Sequence, residues 1–279
     1  MNKPSLGIAL AVLSMLFFSI TYALFKACTP YIPNTQIIFI QSVCSWILIT
    51  PFVLKGGLKT ERLWLIGTRT LFGLLGMICI TRALVTTNLA EVVLLNNTAP
   101  LFVPLIIWLW HRTKISPFLG FSILIGFVGV FVILRPGFEE VQTGMMLAVL
   151  SGVFSALLLV LTRQIAGEPF MRILFYYYLL WFLLLSPFAF FSWTPMTPLL
   201  WTLLVGSALS SIGAQLSFTA AMRFAPSQEV APLIYTSVIF SAIIGWLIWR
   251  EKIDLISIAG MVIVCVGGVL TLAAAKKRT

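Results

Sequence analysis

The sequence predicts an all-α membrane protein, with ten transmembrane helices in two inverted five-helix repeats. Composition is the first reason: of 279 residues, 60% are hydrophobic and 9% charged, against about 25% charged in a soluble domain. The second is that the apolar residues form ten long runs. The third is that the second half of the chain repeats the first at an offset of 136 to 138 residues.

Eight acids and eighteen bases cannot cover a soluble globule of this size. That excludes an ordinary soluble enzyme, a disordered chain and a secreted disulfide scaffold. The net charge is +10, but the bases are scattered between apolar runs, so no nucleic-acid partner is expected. Cys28, Cys44, Cys79 and Cys265 lie in or beside apolar runs without metal-ligand spacing. They read as small buried hydrophobes, and no metal or cofactor is expected.

A bilayer core needs about 20 mostly apolar residues per helix. The runs are about 5–27, 35–54, 62–84, 89–110, 117–134, 143–164, 171–191, 198–221, 227–249 and 254–274. The first follows Lys3 but is too long for a signal-peptide core and has no convincing cleavage site, so it is read as a helix. The fourth holds Pro100 and Pro104, and the ninth Pro232, each removing a backbone donor where a helix can hinge. The third, fifth and tenth carry small faces for close packing: Gly73 and Gly76, Gly126 and Gly129, and Gly260, Gly267 and Gly268. All ten are continuously apolar rather than alternating, which excludes an outer-membrane barrel.

Ten spans put both termini on one side. Twelve bases fall there: Lys3, Lys55, Lys59, Arg62, Arg112, Lys114, Arg163, Arg172, Arg223, Lys276, Lys277 and Arg278. The other side has five: Lys26, Arg82, Arg135, Arg250 and Lys252. The positive-inside rule then predicts a multi-pass protein of the cytoplasmic (inner) membrane with both termini in the cytoplasm.

The repeat is explicit. Residues 7–26 align with 144–163 with eight of twenty identities, Leu10–Ser14 matching Leu147–Ser151 unbroken. Residues 80–115 align without gaps to 218–253 with thirteen of thirty-six, including Glu91/Glu229, Thr98/Thr236, Trp108/Trp246, Arg112/Arg250 and Lys114/Lys252. Apolar composition alone does not align rare charged and Trp residues at one offset. The chain therefore divides at 137/138 into units 1–137 and 138–279. Five helices per unit is odd, so the second unit enters the membrane inverted, as in many secondary transporters.

With an A-E-x-x-x-L element opening span four (LAEVVLLNNTAPLFVPLIIWLWHR) and its copy in span nine (SQEVAPLIYTSVIFSAIIGWLIWRE), the chain resembles the drug/metabolite transporter superfamily, specifically its EamA-type members. The resemblance covers essentially the whole chain. It implies a central cavity lined by spans 1–4 and 6–9, with spans five and ten as outer supports, where a homodimer interface is one arrangement. It also implies carriage of amino acids and related metabolites, cofactors or drugs. The first repeat departs from the pattern in ending Trp110-His111-Arg112, where many members have an acid.

Polar residues at membrane depth mark the functional positions. Ser14, Phe18, Thr21 and Tyr22 share one face of span one, and Ser151 repeats Ser14. Gln41 and Ser42 align with Tyr177 and Tyr178, and Trp181 lies one turn beyond Tyr177. Asn96 and Asn97 align with Ile234 and Tyr235, and Gln215 faces Met77 across the offset. The substrate-binding set is thus Tyr22, Gln41, Asn96, Asn97, Tyr177, Tyr178, Trp181, Gln215 and Tyr235; interhelical hydrogen bonding, worth about 0.6 kcal/mol per contact, is the alternative for each. Glu91 and Glu229, at span starts, either cap helix N-termini or serve coupling and gating. Arg69 lies about 10 Å above its span start, where it either snorkels to the interface or pairs with a substrate carboxylate.

These features predict a secondary carrier for a small polar organic metabolite, an amino acid or adenosyl-type solute, working by alternating access in the bilayer. Aromatic residues would stack on its flat portion. No Walker A motif is present, which excludes direct ATP coupling. A membrane-embedded enzyme or lipid-handling protein would need a catalytic constellation, and HExxH, GxSxG and a DxxD-type acidic pair are missing. A non-transporting sensor or assembly subunit would tolerate polar substitutions in the cavity. If span four bends during transport, Pro100→Ala and Pro104→Ala slow flux more than they lower expression; unchanged flux in both variants refutes the bending.

Overall fold

The computed structural model describes residues 4–54, 57–112, 116–134, 143–165 and 167–276. The 137/138 boundary and Lys3, Lys55, Lys114, Arg135, Lys277 and Arg278 lie outside them. The described chain is helical, without strands: α1 (Pro4–Cys28), α2 (Asn34–Leu54), α3 (Leu63–Thr86), α4 (Leu89–Asn96), α5 (Ala99–His111), α6 (Pro117–Leu134), α7 (Thr143–Gln164), α8 (Phe170–Phe191), α9 (Pro198–Phe224), α10 (Ser227–Val230), a 3-10 turn (Ala231–Tyr235), α11 (Thr236–Trp249) and α12 (Leu255–Lys276). Ten segments are long and apolar enough to span a bilayer. Helices are the only open-ended structure that satisfies every backbone group internally in hydrocarbon.

Two spans are not the continuous helices expected from the runs. Span four breaks at Asn97–Thr98, between α4 and α5. Pro100 has no N–H, and its ring clashes with the Asn96 carbonyl one turn earlier. The turn is closed locally: Asn97 N–H donates to Val93 O (3.0 Å) and Thr98 Oγ1 to Leu95 O (2.6 Å). In span nine Pro232 converts Ala231–Tyr235 to 3-10 geometry before α11 begins at Thr236. The helices that follow the breaks start at Ala99 and Thr236, within one residue of the repeat offset.

Packing follows the same offset. Helix α1 lies along α9, and α7 along α3; α2 packs on α8, and α6 on α12. A Cβ on Gly7 would stand 3.1 Å from the Ala221 carbonyl oxygen, and one on Gly144 would stand 3.1 Å from that of Ala83. Arg112 and Arg250 end α5 and α11 in the left-handed region, at φ 49° and 55°. At the α6–α12 seam, a Cβ on Gly267 would lie 2.5 Å from the Gly126 Cα. Backbone touches backbone there, so no side chain can yield.

Hydrogen bonds tie the two halves at both ends of the bundle. On the face where α1 begins, Thr60 Oγ1 donates to Glu168 Oε1 (2.6 Å) and Arg172 Nη1 to Glu168 Oε2 (2.9 Å). Arg172 Nε also donates to Gly57 O (3.1 Å), and Arg62 Nη1 to Gln164 O (2.8 Å). On the far face Gln36, which aligns with Arg172 at offset 136, exchanges two 2.9 Å bonds with the Thr194 backbone. Lys26 there pairs with Glu251 and donates to Thr87 O (2.7 Å), while Glu251 Oε2 accepts from Leu89 N–H (2.9 Å).

Gly267→Ala should lower stability in detergent by about 2 kcal/mol, read as the thermal unfolding midpoint. Gly67→Ala, where a Cβ meets nothing within 4 Å, should be neutral or stabilising. Equal midpoints for the two variants would overturn the backbone contact at α6–α12.

The Thr60 hydroxyl, with Arg172 and Arg62, holds the Glu168 carboxyl below its ordinary range. A carboxylate so depressed contributes stability above its unfolded pKa of about 4.3, lost as the pH falls through the lower folded value. From about pH 5 to about pH 8 its contribution is constant. Glu168→Gln should therefore lower the unfolding midpoint evenly across that window, and an effect that fades within it argues against this seam.

Candidate functional site

A cavity of about 200 Å³ lies at mid-bundle between the two halves. Helices α1, α2 and α3 meet α7, α8 and α9 around it. Its polar lining comes from Thr21, Tyr22, Gln41, Ser155, Ser211 and Gln215, and its aromatic wall from Phe18, Tyr177, Tyr178 and Trp181. Met77 and Leu158 complete it. Six of the nine residues expected from the sequence to bind substrate are here: Tyr22, Gln41, Tyr177, Tyr178, Trp181 and Gln215.

The aromatic wall is built on α8. Tyr177 and Trp181, one turn apart, have ring centroids 4.3 Å apart, and Tyr178 stands edge-on to both. Trp181 is fully buried, its Nε1–H donating to the Thr70 carbonyl on α3 (3.2 Å). The Tyr178 hydroxyl pairs with Ser211 Oγ on α9 (3.1 Å). Gly73 makes room for Tyr177, since a Cβ there would lie 2.8 Å from its Cε2. The wall is thereby held from α3 and α9.

Gln41 is the exceptional polar group. It is 0% exposed to the outside of the bundle, and neither its amide nitrogen nor its amide oxygen has a hydrogen-bond partner. An unsatisfied buried amide costs about 1–3 kcal/mol, and this one borders the cavity. It offers a donor and an acceptor to a solute placed there.

The other three expected binding residues lie off the cavity. Asn96 Oδ1 accepts from Ser151 Oγ (3.2 Å) and Ser155 Oγ (2.9 Å), tying the broken span to α7. Asn97 Nδ2 reaches Ile234 O (3.2 Å) and Ser237 Oγ (2.8 Å), joining the two breaks. Tyr235 is buried against Gly268 of α12. The two asparagines serve the helix breaks, where freed backbone and side chains must find partners away from lipid. No residue of spans four or nine lines this cavity, in contrast to the expected lining by spans 1–4 and 6–9.

The charged candidates separate. Glu91 is 4% exposed and accepts from Ser257 Oγ on α12 (2.9 Å). Glu229 is exposed, and the residue corresponding to Ser257 in the first repeat is Leu119, which has no hydroxyl to donate. Arg69 is buried between helices. It is 8% exposed, its Nε donates to Thr162 Oγ1 on α7 (2.7 Å), and its guanidinium carbon sits 5.3 Å from the Tyr177 ring centroid. The bond to α7 and the ring of α8 hold it inward.

Sequence reasoning missed Ser155 and Ser211 as lining residues, although each lies one turn from a residue it marked, Ser151 and Gln215. It also did not mark Glu251. Periodicity carries no sign of its pairing with Lys26, 225 residues away. Ser14 belongs to the α1–α9 contact rather than the cavity, donating to Ala214 O (2.8 Å). Among the described residues no group of three or more His, Cys, Asp or Glu could hold a metal.

Comparison with known proteins gives this cavity its context. The profile of the EamA-like transporter family matches residues 5–135 and again residues 142–273. The pseudopaline exporter CntI of Pseudomonas aeruginosa is 28% identical over 265 residues, 93% of each chain. The S-adenosylmethionine uptake transporter of Rickettsia bellii is 25% identical over 273 residues, 93% of this chain and 91% of its own. A riboflavin transporter of Vibrio cholerae is 23% identical over 78% of this chain and 76% of its own. One solved crystal structure superposes with a TM-score of 0.66 at 17% identity, covering 99% of both chains, a likeness of fold. The names are those of transporters, not enzymes. A ten-span bundle, a polar and aromatic cavity between its halves and a family profile that matches each half once agree: this multi-pass membrane chain belongs to the EamA-like transporter family.

Proposed function

We propose that the protein is a secondary carrier for a small polar organic metabolite with a flat or apolar portion, moved across the cytoplasmic membrane by alternating access. The observation that carries this reading is the pairing of an unpartnered, fully buried Gln41 with the Tyr177–Trp181 wall in one mid-bundle cavity. The amide orients a polar solute, and the rings cover its flat part. The names of the relatives are compatible, since S-adenosylmethionine and riboflavin both combine a flat ring system with polar groups.

Units 1–137 and 138–279 rock about the cavity in this mechanism. The Glu168 seam closes one face and the Lys26–Glu251 pair, with Gln36–Thr194, the other. Each set of bonds must part when its face opens. The excess of bases on the side of the termini, twelve against five, supports cytoplasmic termini. The Glu168 seam is then the cytoplasmic closure.

Flux in proteoliposomes tests the reading, with labelled amino acids, nucleosides and sulfonium metabolites offered with and without a pH gradient or internal counter-substrate. The expected result is saturable uptake of at least one solute. Gln41→Ala should reduce it about 5-fold, the worth of about 1 kcal/mol, and Trp181→Ala more. No uptake under any condition, or full uptake by both variants, contradicts the proposal.

A further inference from the structure

Arg69 carries a full positive charge at membrane depth, and its surroundings leave part of it unanswered. It sits on α3 one turn before Gly73, at whose surface the Tyr177 ring lies. Its Nε is taken by Thr162 Oγ1, while Nη1 is buried without a hydrogen-bond partner. Among the described residues it has no acidic partner; Glu251 pairs with Lys26 and Glu168 with Arg172. A buried guanidinium with one arm free is a costly arrangement unless an anion completes it.

The neighbours say which anion. Thr162 donates its own hydroxyl proton to Leu158 O (2.6 Å), so toward Arg69 it is only an acceptor. Leu158 and Tyr177 both line the cavity, and Tyr177 also lies under the guanidinium at 5.3 Å. The charge therefore stands behind the cavity wall, with the Tyr177 ring common to both. One cation with a planar fork matches one carboxylate; a phosphate dianion would call for a second cation, which Thr162, Leu158 and Tyr177 do not provide.

We propose that Arg69 is a carboxylate-binding element of this site, so that the solute is a carboxylate-bearing, zwitterionic or anionic metabolite whose acid group docks on Arg69 while its flat portion lies on Tyr177 and Trp181. This rests on the carrier reading and narrows its solute class. It also assigns Tyr177 two roles, as a surface for the solute and as the face on which the guanidinium is held.

The test uses the full-length chain in lipid nanodiscs, with benzoate and benzamide as probes of the same shape and different charge at constant ionic strength. Benzoate should raise the unfolding midpoint and benzamide should not. Arg69→Gln should weaken apparent benzoate affinity at least about 10-fold. Arg69→Lys, which keeps the charge and loses the fork, should weaken it by less. Equal effects of the two probes on the unmodified chain would overturn the proposal, as would undiminished benzoate binding in Arg69→Gln. If Arg69→Gln does not fold, unchanged affinity in Arg69→Lys would overturn it. Saturable uptake of riboflavin by proteoliposomes without any benzoate response would remove the carboxylate site and keep the carrier. Benzoate binding through Arg69 without flux of any solute would support the site and remove the carrier.

Discussion

Hydrocarbon offers no hydrogen-bond partner, and the structure depends on that constraint throughout. It makes every span helical. It requires each interruption of a helix to be closed by local bonds, as Asn97 and Thr98 are, or covered by another helix. A Cβ on Gly152 of α7 would stand 2.8 Å from the Leu95 carbonyl oxygen, so α7 approaches the broken turn as nearly as a glycine allows. The same constraint turns side-chain polarity inward, to helix contacts such as Ser14–Ala214 or to the cavity that holds Gln41 and Gln215. A carrier needs a polar path through an apolar medium, and this bundle has the unpartnered Gln41 amide at that depth.

Positions related by the sequence offset make matched contacts, and the differences between them set the two faces apart. Gly7 and Gly144 make equivalent approaches to Ala221 and Ala83, and Gln36 and Arg172 each reach across to the backbone of the other half. The ionic contacts do not match. At the repeat offsets Lys26 and Glu251 correspond to Arg163 and Thr113, so a Lys26–Glu251 ion pair has no acidic equivalent at the other end. Glu91 and Glu229 have likewise diverged, one bonded to Ser257 and the other exposed. Two faces closed by different chemistry can respond to different conditions, whatever the symmetry of the backbone.

The fold was legible because its signals are local or repeated: long apolar runs, basic flanks and rare residues returning at one offset. Most of the cavity was legible for a related reason. Gln41, Tyr177, Tyr178 and Trp181 are residues that lipid does not accept or that stack, set at equivalent depths in two copies. What escaped depends on neighbours rather than on residue type. Asn96 and Asn97 looked like cavity groups, but Pro100 breaks the helix beside them and the break uses their amides. Arg69 contacts Thr162 and Tyr177, which lie far along the chain and which its own position does not announce. Leu158 lines the cavity with no polarity or periodicity to distinguish it from other leucines.

Access to the cavity from both sides of the membrane is the claim on which the carrier reading stands. A single cysteine placed at Gln215, in a chain whose native Cys28, Cys44, Cys79 and Cys265 are replaced by serine or alanine, measures it directly in oriented proteoliposomes. The account predicts alkylation by a membrane-impermeant maleimide added to either face, and protection by the transported solute. A cysteine that reacts from neither face, or from one face alone under every condition, would contradict alternating access through this cavity.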